Sequence, residues 1–197
     1  EPVLLLGASD NDNLFQSPDF DEQLYRLKSA GGNYIRCTLS SRDAGDLQPH
    51  RRTDSGLYDL NELDETYKNN LERLISLASK LDIIVQIEVW DRFDYSRGSW
   101  ETSSFNPANT TSYTFDETGF AEAYPEHPYT DKQPFFHTIK GLPHYNPKLE
   151  NVLRFQKIFV EKILDISLEY DNVLYCMNNE TSTPKEWGQF WMHFIDS

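Results

Sequence analysis

Basic residues are scarce in this chain: 18 lysines and arginines stand against 32 aspartates and glutamates, a formal net charge of −14. A partner held through its phosphate backbone calls for a Lys/Arg surface. The balance therefore argues against nucleic acid and against an anionic membrane, and otherwise means a well-solvated surface. Cysteine is nearly absent. Cys37 and Cys176 are far apart, each inside a stretch that reads as a strand, so neither a zinc framework nor a redox pair is suggested. Both read as small buried hydrophobes. No apolar run approaches the roughly 18 residues of a membrane span. A glycine-rich phosphate loop is also missing: the turn after the first apolar run is Leu6-Gly7-Ala8-Ser9-Asp10-Asn11-Asp12-Asn13, acidic and with a single glycine. The chain starts at Glu1 without Met, which reads as a mature or excerpted product whose signal peptide would not be visible.

What the chain does hold is apolar and aromatic residues. At 38% hydrophobic and 14% aromatic it belongs with globular proteins, and 197 residues suffice for one sizeable core or a domain cut short. Val3 to Leu6 reads as a short buried strand ended by Gly7. From Asp19 the spacing of Phe20, Leu24 and Leu27 predicts a helix that stops at Gly31-Gly32. Tyr34 to Leu39 alternates as a strand, with Arg36 pointing opposite to Ile35 and Cys37. A polar connection from Ser40 to Tyr58 reads as solvated. Leu63, Tyr67, Leu71, Leu74, Ala78 and Leu81 mark one face of a second helix. Ile83 to Trp90, nearly all apolar, suits a parallel strand buried on both faces.

The segment from about 92 to 145 loses periodicity and is too long for an ordinary connection, which marks it as functional. Its aromatic residues Trp100, Tyr113, Phe115, Tyr124, Tyr129, Phe135 and Phe136 suit either a carbohydrate-binding wall or simple packing. Its histidines, His127, His137 and His144, lack metal-ligand spacing. Asn146-Pro147 predicts a helix start, with Val152, Phe155, Phe159, Ile163 and Ile166 as its buried stripe. Val173 to Met177 follows as a strand that breaks into Asn178-Asn179-Glu180, and Thr183-Pro184 opens a fourth helix. Strand and helix thus alternate four times, the pattern of parallel strands with right-handed crossovers.

Four such units admit an open doubly wound sheet or part of an eight-stranded barrel. The acidic first turn argues against the nucleotide-binding open form. Each strand instead ends in residues suited to a polyhydroxylated ligand: Asp10 to Asn13, Arg36 and Thr38, Glu88 to Asp91, and Asn178 to Glu180. In a βα barrel such ends converge on the catalytic face. The passages Leu27 to Arg36, Leu81 to Val85 and Asn172 to Glu180 also resemble, in order and spacing, the clan A superfamily of retaining glycoside hydrolases. In that superfamily an Arg closes the second strand and an Asn-Glu pair ends the fourth.

The resemblance implies an α/β fold of the (β/α)8 (TIM) barrel type. Residues 1–197 would be its N-terminal half, the first four βα units, with the long insertion at about 92–145. Glu180 would be the general acid/base, and Asn179 would bind the sugar hydroxyl beside the scissile bond. Retention requires two carboxyl groups about 5 to 5.5 Å apart. The family takes its nucleophile from a Glu on strand seven, so the rest of the barrel is expected beyond residue 197, and a stable compact monomer of this chain would speak against that.

Glu88 and Asp91 are alternative nucleophiles, although the matching family positions bind substrate. Arg36 offers a rigid fork of donors to orient a carboxylate, or forms an ordinary interior ion pair. Trp90 would stack on a pyranose face or belong to the core. Asn13, His144 and Tyr145 are binding candidates by loop position. Asn109-Thr110-Thr111 and Asn179-Glu180-Thr181 match the short glycosylation pattern. The leading expectation is a secreted or periplasmic hydrolase of poly- or oligosaccharides, needing no metal or organic cofactor. Its rivals are a noncatalytic carbohydrate-binding barrel and a barrel lyase that uses Arg36 as a clamp for anionic sugars.

Overall fold

The apolar stripes of two long helices organise the architecture. A computed structural model describes residues 3–180 and 182–197. Phe20–Ser29 forms α1, Tyr34–Thr38 β1, His50–Arg52 β2, Tyr58–Leu63 β3, Glu65–Lys80 α2 and Ile84–Asp91 β4. Arg97–Thr102 is α3, Phe115–Thr118 α4, Leu149–Ser167 α5, Val173–Asn179 β5 and Lys185–Asp196 α6.

The start of α2 is fixed by Asp64, whose carboxylate accepts from the backbone N–H groups of Thr66 and Tyr67 at 2.9 and 3.1 Å. Its buried face is Tyr67, Leu71, Leu74, Ile75 and Ala78. Leu63, expected on this helix, belongs to β3 instead. In α5 the stripe Val152, Phe155, Phe159, Ile163 and Ile166 is buried as its spacing predicts. That helix begins at Leu149, later than Asn146-Pro147 suggests. The Asn146 side chain accepts from the Lys148 N–H at 3.0 Å and shapes the turn before the helix rather than capping it.

β1, β4 and β5 form a parallel sheet in the order β1-β4-β5. Thr38 is opposite Glu88, and Asp91 opposite Asn179. Ile35, Cys37, Val85, Ile87 and Val89 are buried. Arg36 and Gln86, alternating with them, are half-buried. Because all three strands run the same way, Thr38, Glu88 to Asp91 and Asn179 emerge at one end of the sheet. The polar connection after β1 is not simply solvated: it contains β2, which pairs antiparallel with β3.

The barrel expectation is overturned. The described residues form a small α/β domain with a three-stranded parallel sheet and a two-stranded antiparallel one, and among them there is no barrel. The expected first strand explains part of the difference. Residues 3–12 run beside β1, but the backbone bonds joining them to it and its approach are Asn33 N–H to Leu6 O and Thr38 N–H to Asp12 O, both 2.8 Å. The Asn33 side chain takes the Leu6 N–H and the Leu4 carbonyl, groups a regular ladder would use. Val3 and Leu4 are 67% and 72% exposed, so the run is not a buried strand. Gly7 lies so close to the Tyr34 carbonyl oxygen that a Cβ would fall 1.5 Å from it, which only glycine tolerates. Three parallel strands with free edges do not close, since closure requires a continuous staggered ring.

The segment between β4 and α5 is built rather than loose. Trp100, Phe105, Tyr113, Phe120, Phe135 and Phe136 are buried in it. Thr114 and Glu117 form a capping box at α4.

Candidate functional site

The parallel strand ends gather a connected cluster of charge. Arg36, at the middle of β1, reaches three partners: Nε meets Glu88 Oε1 at 3.2 Å, and Nη2 meets Asp12 Oδ1 at 3.2 Å and Asn179 Oδ1 at 3.3 Å. Arg42, just beyond the end of β1, contacts Asp91, Asp94 at 3.4 Å and Asp12 at 3.5 Å. Asp91 also accepts from the Asn179 amide at 2.9 Å and from the Phe93 N–H at 2.9 Å. The Asn179 amide is therefore oriented without ambiguity, its oxygen on a guanidinium and its nitrogen on a carboxylate.

Burial sets the electrostatics. The Glu88 side chain is only 6% exposed, and desolvation raises its pKa against the lowering effect of Arg36; its Oε2 has no hydrogen-bond partner. Asp94 is pushed up to about 7, first by burial and then by the Asp91 charge, although the Ser40 hydroxyl donates to it at 2.7 Å. Burial alone would depress the Arg42 guanidinium; the carboxylates of Asp91, Asp94 and Asp43 outweigh it and hold the pKa above its usual value.

Glu180 stands at the exposed rim of this cluster. Its backbone is left-handed at φ 44, and its Oε2 accepts from the Tyr129 hydroxyl at 3.0 Å. That bond is the largest cause raising the Tyr129 pKa. Tyr129 comes from the long β4–α5 connection, 52% exposed, beside the rings of His127 and Phe93. Behind it Arg92, fully buried, binds Asp131 at 2.8 Å and the Ser182 hydroxyl, tying the connection to the chain after β5.

Of the residues singled out from the sequence, Glu180, Asn179, Arg36, Glu88 and Asp91 are brought together. Trp90 is not among them. It is fully buried among Trp191, Phe159 and Phe135, with ring centroids 5.2, 5.4 and 5.5 Å away, and offers no face to a sugar. Asn13 is buried and donates to Asp46 at 2.7 Å and to the Ser40 carbonyl at 3.3 Å, so it braces the connection after β1. His144 is exposed with its ring against His137, and Tyr145 bonds Glu150.

Most of the supposed aromatic wall is core, with Tyr129 the member beside Glu180. The Asn109 amide donates to the Glu101 and Ser103 carbonyls, both at 2.9 Å, and is engaged rather than presented for glycosylation. Thr181, which completes the other glycosylation pattern, lies outside the described residues.

Sequence reasoning missed Arg42 and Asp94. The signal for them was present: Arg42 lies four residues beyond β1, and Asp91 and Asp94 are spaced to flank the turn that leaves β4. Neither cysteine is paired, and burial pushes the Cys37 thiol up to about 12. Among the described residues, no group of three or more His, Cys, Asp or Glu could hold a metal ion, and no helix is long and apolar enough to cross a membrane. No protein-family model matches the chain, and neither a curated protein nor a solved structure matches it.

Proposed function

We propose that this cluster is part of a glycoside hydrolase site, in which Glu180 exchanges the proton with the glycosidic oxygen and Asn179 binds the neighbouring sugar hydroxyl. The observation that carries the reading is the contrast between two adjacent residues at the end of β5. Asn179 is buried and held at both ends of its amide by Arg36 and Asp91, whereas Glu180 is exposed with one oxygen taken by Tyr129. A binding group needs fixed geometry, and an acid/base needs access to substrate. The Asn179 nitrogen has two N–H bonds. Among the described residues one goes to Asp91, and the other is available to a hydroxyl. Among the described residues Tyr129 holds one oxygen of Glu180, and the second is available to a leaving group.

A retaining reaction needs a nucleophilic carboxylate as well. Glu88 and Asp91 fit that role poorly, because each is buried and committed to an arginine. The nucleophile is therefore expected from outside these residues, and saccharide binding is the property expected of the chain itself.

General acid/base groups contribute about 10²–10⁴-fold. In the enzyme carrying these residues, Glu180→Gln is expected to cut turnover of natural glycosides by that factor. Aryl glycosides whose leaving group needs no proton should be affected much less in the bond-breaking step. Equal loss on both substrates, or unchanged turnover of the natural one, would refute the assignment.

A further inference from the structure

The strand ends and the connections beside them bring four carboxyl groups, Asp12, Glu88, Asp91 and Asp94, onto two guanidiniums, Arg36 and Arg42, with the Glu180 carboxylate at the rim on Tyr129. The arginines are what an anionic sugar would need, and both are already occupied. Arg36 is divided among Glu88, Asp12 and Asn179, and Arg42 among Asp91, Asp94 and Asp12. Asp12 bridges the two, so neither fork is free for bidentate recognition of a substrate carboxylate. The cations nearest on the adjoining connection are engaged as well: Arg92 is buried on Asp131 and Ser182, Arg97 lies over the Phe93 ring at 5.9 Å, and Lys132 is paired with Glu126 at 2.8 Å.

Resting on the saccharide reading above, we propose that the site selects neutral sugars and rejects uronic acids, with Asp12 as a specificity-determining residue. A uronate carboxylate entering beside Asn179 and Glu180 would meet unbalanced negative charge at close range. It would also find each guanidinium neutralised. A sugar hydroxyl meets no such penalty and can use the Asn179 N–H that Asp91 does not take. The barrel lyase with Arg36 as an anion clamp loses its support on the same ground.

The test is a comparison of matched oligosaccharides that differ at the sugar carboxylate: glucose, mannose and galactose oligomers, each against its uronic acid counterpart. Binding is followed by the NMR shifts of the Asn179 and Glu180 amides. The neutral member of at least one pair should bind, and its uronate should bind about tenfold more weakly at low ionic strength. The gap should narrow in 0.5 M salt, taken here as roughly the range where screening is strong. Asp12→Asn frees part of both guanidiniums from an exposed position, and should raise uronate affinity several-fold relative to the neutral sugar. Equal or tighter uronate binding at Asn179 and Glu180, or an unchanged ratio in Asp12→Asn, would overturn the inference while leaving the saccharide reading intact. Binding of neither member of any pair would overturn both.

Discussion

Glu180 combines an exposed carboxylate with a left-handed backbone at φ 44, a conformation that costs a non-glycine residue on the order of 1–3 kcal/mol. A residue serving only as a strand end would be under no pressure to hold it. Glu180→Gly is therefore expected to raise stability by about 1 kcal/mol in urea unfolding while removing the acid; a loss of stability would show that the carboxylate, not the backbone, dominates locally. Asp94 provides a second test. Its pKa of about 7 lies above the unfolded value of about 3.9, so the folded state holds this proton longer. The stability linked to that proton is complete below about pH 4 and is lost as pH rises towards 7. Unfolding at a series of pH values should show Asp94→Asn gaining on the wild type across that window. A constant difference between the two would mean that Asp94 titrates normally.

At the scale of elements, the three parallel strands and the long helices were legible because their signals are local, whereas the short antiparallel pair β2–β3 was not. The α2 and α5 stripes follow helical spacing, the β4 run is apolar apart from Gln86 and Glu88, and the β5 run is apolar until Asn178. The first strand misled because hydrophobicity alone does not specify pairing. Asn33, far along the chain, binds the backbone that pairing would need, and no local pattern announces it.

In the long connection the structure decides between two open readings. Its aromatic density suited a binding wall or simple packing, and most of those rings are buried, Phe135 directly on Trp90, so that burial of large apolar area outweighs exposure to a ligand. Trp90→Ala is expected to destabilise the fold by about 3–5 kcal/mol. A variant of wild-type stability that had lost saccharide binding would restore Trp90 to the site. Glu180 and Asn179 were legible as a pair, whereas Arg42 and Asp94 were hidden because their role depends on contacts between separate connections.

For the whole molecule, apolar surface is left at both edges of the parallel sheet. Val3, Leu4 and Leu6 are exposed on the β1 side, and Leu168, Leu174 and Met192 near β5 are 66%, 44% and 60% exposed. Such patches favour association. The chain is expected to self-associate as concentration rises, and Leu174→Lys to weaken this; concentration-independent sedimentation of the wild type would contradict it.

The central claim, that a fixed Asn179 and an accessible Glu180 form a saccharide site, is tested most directly by titrating the labelled chain with neutral oligosaccharides while observing the backbone amides of residues 178 to 180. The account predicts a saturable shift that is kept in Glu180→Gln and lost in Asn179→Ala. No saturable shift with any neutral oligosaccharide, or one that Asn179→Ala leaves unchanged, would contradict it.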